Sequence, residues 1–185
     1  DAIIALCENQ GILGLHIEGQ HISEAQCGTH SCQFIRPMDT RTFEAIARLR
    51  SADQAVLITV APEAITLDQI ATLKTMGAVV SLGHTDADAD QTNAAIKAGA
   101  SCGTHLFNAM SPMRGRAPGA VGTIINSLCY AGIICDGHHV ADEMVGMTVR
   151  ARPSSDLMFL VSDAMATVGG PNQFDLYSET IYLND

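Results

Sequence analysis

Apolar positions along this chain fall into two alternating patterns. Short, nearly continuous apolar runs occupy residues 12–18 (ILGLHIE), 55–60 (AVLITV), 78–82, 100–105, 128–135 (LCYAGIIC) and 157–162 (LMFLVS), and they read as strands. Between them, apolar residues recur at helical spacing over 1–9, 42–50, 66–76, 86–98 and 139–150. Gly11, Gly77 and Gly99 stand where helices should stop, and Asp39 or Thr40 stands where the helix over 42–50 should be capped. Two long polar segments, 19–41 and 106–122, read as loops. Six strands alternating with helices predict βαβ units and a parallel sheet, and strands this apolar imply cover on both faces. A closed (β/α)8 barrel typically takes about 250 residues. The pattern therefore fits an open doubly wound sheet, or a barrel lacking its first strands. No G-x-G-x-x-G follows a strand, which argues against a dinucleotide site.

Composition narrows the function. Hydrophobic residues make up 47% and charged residues 16%, which excludes a disordered chain. Ten basic residues against 20 acidic ones give a net charge of −10, which disfavours nucleic acid as a partner. No apolar run reaches transmembrane length, so no membrane partner is expected. The six cysteines (Cys7, Cys27, Cys32, Cys102, Cys129, Cys135) form no CxxC pair, and four lie in or beside apolar runs. They read as reduced thiols of a cytoplasmic protein rather than a disulfide framework. The chain begins inside a helical pattern without Met and stops just after a strand-like run. A piece of a longer protein is expected, with residues 1–185 forming one partial domain.

Ligand-type side chains recur at predicted strand ends: Glu18, His84, His105, Asp136 with His138 and His139, then Asp163. In parallel α/β folds these ends share one face, where active sites are built. One carboxylate and two imidazoles from three strands suit Zn²⁺ or a similar divalent ion with a position left for water. Three unrelated capping or core residues would give the same pattern. Asp163 could exchange a proton with water activated by such a metal, or cap a helix. The loop after His105 carries Asn108-Ala109-Met110 and Arg114-Gly-Arg116-Ala-Pro-Gly119, small residues and arginines that suit an anion. His21, His30, His138 and His139 sit on loops of the same face, one or two of them as solvated bystanders.

Taken in order, GLHIEG (14–19), CGTH (27–30), SLGHTDAD (81–88), THLFNAM (104–110), GRAPG (115–119), GIICDGHHV (132–140) and VSDA (161–164) resemble the N-acetylglucosamine-6-phosphate deacetylases of the amidohydrolase superfamily. The resemblance runs from about Gly11 to Asp185. It implies a metal-dependent (β/α)8 barrel of the TIM type, here incomplete, with the family's first strands and small β-sandwich domain absent. It also implies removal of acetate from N-acetyl-D-glucosamine 6-phosphate, and usually a homodimer. By motif, Glu18, His84 and His105 would be the metal ligands for Zn²⁺, with Fe²⁺, Co²⁺ or Mn²⁺ as alternatives. Asp163 would be the catalytic acid/base. His30 and His139 would contact the substrate. The backbone of Asn108 and Ala109 would hold the phosphate, joined by Arg116 from a neighbouring subunit.

The family usually has Pro after the Glu-Gly of its first motif, whereas this chain has Gln20, which leaves the roles of His21 and His30 open. The competing readings are a deacetylase for N-acetylgalactosamine 6-phosphate or another related amidohydrolase, an inactive truncated domain that binds metal or phosphosugar, and an open flavodoxin-like phosphate binder. An incomplete barrel has open sheet edges, so pairing with other segments or copies is expected.

Overall fold

A computed structural model describes residues 11–183; the helix expected over 1–9, with Cys7, lies outside them. Six strands, β1 (Gly14–Ile17), β2 (Ala55–Val60), β3 (Val79–Leu82), β4 (Cys102–Gly103), β5 (Tyr130–Ile133) and β6 (Met158–Leu160), form one sheet in the order β1-β2-β3-β4-β5-β6. Every neighbouring pair is parallel. A doubly wound sheet reverses its order at a switch point. Strictly sequential order is instead that of barrel staves, so the sheet is a curled half-barrel with β1 and β6 at its edges. Strands β7 (Gln173–Leu176) and β8 (Glu179–Tyr182) form a separate antiparallel hairpin.

The helices begin where local chemistry satisfies their first N–H groups. The side chain of Asp39 accepts from Arg41 N at the start of α1 (Thr40–Ser51), as expected. Reciprocal capping boxes, Thr66 with Gln69 and Asp88 with Gln91, open α2 (Leu67–Thr75) and α3 (Ala89–Ala98). Gly99, at φ 133°, ends α3. Helix α4 (Gly119–Ile125) overlaps the end of the segment expected to be loop. Its seven residues are all buried, so they carry no polar face and no helical period. Helix α5 (Asp142–Ala151) completes the set.

The core lies on the helix-covered side of the sheet. Ile46, Leu49, Ile70, Leu73 and Ile124 pack there with Val56, Ile58, Val60, Val80 and Leu82. Full burial of an Ile or Leu contributes about 1.5–3 kcal/mol. After α5, the buried Arg152 guanidinium donates to the carbonyls of Ile124, Ile125 and Cys129, satisfying the end of α4 and the entry to β5. The concave side differs from the expectation of two covered faces. Val79 is 44% and Phe159 39% exposed, beside an open cavity of about 580 Å³. Among the described residues nothing fills that side. No helix among them is long and apolar enough to cross a membrane.

Candidate metal centre

Because β1, β3 and β4 run parallel, the residues just after them emerge on one rim. Glu18 follows Ile17 directly, while His84 and His105 each lie two positions beyond their strands. Glu18 Oε1 is 3.3 Å from His84 Nε2 and 3.2 Å from His105 Nε2. The two Nε2 atoms are 3.1 Å apart. Three donor atoms therefore form a nearly equilateral triangle. A tetrahedral ion with ligand bonds of about 2.0–2.1 Å has edges of about 3.3 Å, so the triangle fits one face of such a site. His84 and His105 are buried, and Glu18 Oε1 is buried without a hydrogen-bond partner, an orphaned acceptor that a cation would satisfy.

Local structure aims these groups. His84 Nδ1–H donates to the Gln26 carbonyl at 2.7 Å, which turns the Nε2 lone pair toward the triangle. The backbone is left-handed at His84 (φ 47°), His105 (φ 27°), Ala109 (φ 46°) and Asp163 (φ 48°). Such conformations cost about 1–3 kcal/mol each for non-glycine residues and cluster at functional sites. Gly83 permits the close approach of β3 and β4, since a Cβ there would lie 2.7 Å from Thr104 Cβ. Gly19, at φ 102°, leaves room for the His30 ring, whose Nδ1 would meet a Cβ at 2.4 Å.

Charge follows from this arrangement. Burial alone would raise the Glu18 carboxyl, but the adjacent His105 and His84 imidazoles outweigh it and hold it well below the usual carboxylate range. Burial would lower His105, and the adjacent Glu18 carboxylate raises it above the ordinary imidazole value instead. Burial, reinforced by the neighbouring His84, lowers His30.

A cleft of about 470 Å³ opens over the triangle and is lined by Glu18, His30, His84, His105, Asn108, Ala109 and Asp163 among others. The His30 and His84 ring centroids are 4.8 Å apart, edge to face. Asp163 is exposed on the rim and is not one of the three converging groups. Asn108 departs from expectation, because its backbone N–H already donates to the His105 carbonyl at 3.0 Å to close a turn. Arg116 and His139 lie outside the cleft lining, both exposed. His139 Nδ1 pairs instead with Asp136 Oδ2 at 2.6 Å.

Gln20, where the family has Pro, binds Arg36: its Oε1 accepts from Nη2 at 3.0 Å and its carbonyl from the backbone N–H at 2.9 Å. His21 is a buried structural residue, with Nδ1 at 2.9 Å from the Arg36 carbonyl and Nε2 at 2.8 Å from Thr42 Oγ1.

Three features escaped the sequence reading. His16 Nε2 lies 2.7 Å from Thr59 Oγ1 and 4.0 Å from Glu18 Oε2. Its place two residues before Glu18 on one strand face was the available signal. Glu63 accepts from Thr85 Oγ1 and Asp86 N, each at 2.6 Å, and fixes the turn after His84; it too follows a strand end. The β7–β8 hairpin brings Phe174, Leu176 and Tyr177 to the cleft, with the Tyr177 ring 5.3 Å from Phe34.

No protein-family profile matches the chain. It is 43% identical over 164 residues to an N-acetylgalactosamine-6-phosphate deacetylase of Shewanella sp. (strain ANA-3), covering 88% of this chain and 41% of that one. It is 32% identical over 177 residues to an N-acetylglucosamine-6-phosphate deacetylase of Haemophilus influenzae, covering 94% and 45%. The crystal structure of N-acetylglucosamine-6-phosphate deacetylase from Pasteurella multocida superposes with a TM-score of 0.88 at 36% identity, over 97% of this chain and 47% of that one. The chain thus spans under half the length of these relatives. Sequence and fold together make it a homologue of the N-acetylglucosamine-6-phosphate deacetylases over that part of their length.

Proposed function

We propose that the protein carrying this chain is a metal-dependent deacetylase that hydrolyses the acetamido group of N-acetyl-D-glucosamine 6-phosphate, giving glucosamine 6-phosphate and acetate. Residues 1–185 supply the metal-holding part of its barrel domain. The observation that carries this reading is the triangle of Glu18 Oε1, His84 Nε2 and His105 Nε2, with edges of 3.1–3.3 Å, at the rim shared by parallel strands. These three residues hold one divalent ion. The donor set of one carboxylate and two imidazoles favours Zn²⁺, with Fe²⁺, Co²⁺ and Mn²⁺ as alternatives. When bound, the ion supplies Lewis-acid charge that activates water and polarises the amide carbonyl.

The chain's own groups do the rest. Asp163 takes a proton from the attacking water and returns it to the departing nitrogen. His30, whose pKa burial lowers, donates toward the developing oxyanion. Of the two backbone groups expected to hold the phosphate, Ala109 N–H serves that role, since the Asn108 N–H is committed to its turn. His139 contacts the sugar. Arg116, exposed and outside the cleft, serves the phosphate of a neighbouring subunit, which makes the working form a homodimer. A reducing cytoplasm suits the free thiols.

The test is acetate release from N-acetyl-D-glucosamine 6-phosphate by metal-loaded protein. The C4 epimer runs in parallel because the Shewanella relative bears the galacto name. Turnover of the gluco substrate in preference to its epimer is expected. Bound metal without acetate from either sugar would replace the enzyme reading with that of an inactive phosphosugar-binding domain.

A further inference from the structure

The loop between β1 and α1 carries two thiols that the proposed reaction does not use. Cys32 Sγ–H donates toward Cys27 Sγ across 3.4 Å, with Cys32 exposed and Cys27 half-buried. Short 3₁₀ turns at Glu24–Gln26 and Cys32–Phe34 flank the segment. His30 N–H donates to the Cys27 carbonyl at 3.1 Å, a turn that lies between the two cysteines, and Ile35 N–H donates to the Cys32 carbonyl at 3.1 Å just beyond them. At 3.4 Å the two sulfurs stand about 1.4 Å beyond a disulfide bond of about 2.0 Å. Cys102 and Cys129 differ in access: both are buried, whereas Cys32, whose thiol the contact with Cys27 raises, is exposed.

The same loop is seated on His84. The Gln26 carbonyl accepts from His84 Nδ1–H at 2.7 Å. A Cβ on Gly28 would lie 3.3 Å from His84 Cε1, and the His30 ring stands 4.8 Å from the His84 ring. The residue before Cys27 and two of those after it therefore touch one imidazole of the triangle.

We propose that Cys27 and Cys32 form a reversible disulfide that clamps this loop against His84 and slows exchange of the ion held there. The oxidant is a small-molecule disulfide such as oxidised glutathione. One protein thiolate attacks it and expels a glutathione thiolate, leaving a mixed disulfide. The second protein thiolate then attacks the protein-side sulfur, expels the other glutathione, and completes the Cys27–Cys32 bond. The two thiol protons end on the two released glutathiones, and the two electrons lost by the protein reduce the oxidant. The bridge itself stands apart from the metal reading; the clamp rests on it.

The experiment incubates zinc-loaded protein with oxidised glutathione, alkylates the remaining thiols and maps peptides by mass spectrometry. A Cys27–Cys32 link lacking two hydrogens is expected, reversed by reductant and abolished in Cys32→Ser. Stable glutathione adducts alone, or a link to another cysteine, would overturn the proposal. Zinc loss to a chromogenic chelator is then timed in both redox states. Loss several-fold slower in the oxidised protein, and unchanged by oxidant in Cys32→Ser, is expected; equal rates would remove the clamp. Protein that takes up no zinc in either state would sink the metal reading, with the bridge still decided by the peptide map.

Discussion

Two carboxylate–imidazole groups sit at strand ends of this half-barrel, and they are built for different ends. At the β1–β3–β4 rim, Glu18 meets His84 and His105 through side chains alone, and its Oε1 has no hydrogen-bond donor. Beyond β5, Asp136 Oδ1 accepts from both His138 N–H and His139 N–H at 2.9 Å, and Oδ2 pairs with His139 Nδ1 at 2.6 Å. Both carboxyls are held below the usual range. At Asp136 the His139 backbone N–H is the chief cause, whereas at Glu18 the imidazoles must overcome burial. The first arrangement leaves converging lone pairs that only a proton or a cation can reconcile. The second is a satisfied turn, exposed to water. Both groups set a carboxylate beside imidazole; the state of hydrogen-bond satisfaction separates a ligand set from a cap.

The largest effect that would break this contrast comes from truncating the triangle. His84→Ala or His105→Ala should lose bound metal, with affinity falling by more than about 100-fold, since even residues behind the ligands are worth 10–100-fold. Elemental analysis of purified variants checks it, and unchanged metal content would erase the distinction. Next, Asp163→Asn should keep metal and fold but lose about 10²–10⁴ in turnover, as expected for a general acid/base. Acetate release at saturating substrate measures this, and near-normal turnover would remove its role.

A pH series sharpens the comparison further. His105 titrates above the ordinary imidazole value in the metal-free protein, so protons compete with the ion as pH falls through that raised value. Metal affinity should therefore begin to drop above the range of an unperturbed His, which calorimetric titration across pH would register. In the absence of metal, the Glu18–His105 contact works in the opposite direction. Its stabilising contribution from His105 is present below the unfolded imidazole pKa and lost as pH rises through the folded one.

The smallest effect belongs to the second group. Asp136→Asn should leave metal content unchanged and lower the thermal midpoint slightly at neutral pH. Because the folded carboxyl titrates below its unfolded value, that difference should shrink as pH falls through the carboxylate range. Thermal melts at neutral and acid pH test it.

Much of this could be read from the residues. The strand runs and helical spacings announced a parallel α/β fold, Asp39 announced a cap, and ligand-type residues at strand ends announced where chemistry would gather. Other features left no periodic trace. Helix α4 is buried all round, so it has no polar face to mark it. His16 and Glu63 act through partners 43 and 22 residues away, Thr59 and Thr85. Neither Asn108's committed N–H nor the exposed concave side of Val79 and Phe159 is encoded in local pattern.

The sequence by itself determined the six main strands and most of the helices between them, their alternation, the cap at Asp39 and the kinds of ligand atom available, because these depend on backbone propensity and on the spacing of apolar side chains over a few residues. Only the tertiary structure decided that the staves run in sequential order and that Glu18, His84 and His105 close to within 3.3 Å of one another while Arg116 and His139 stand apart. Strand register, left-handed backbone at the two histidines and a carbonyl from a distant loop set those distances, and each arises from packing between segments far apart in the chain.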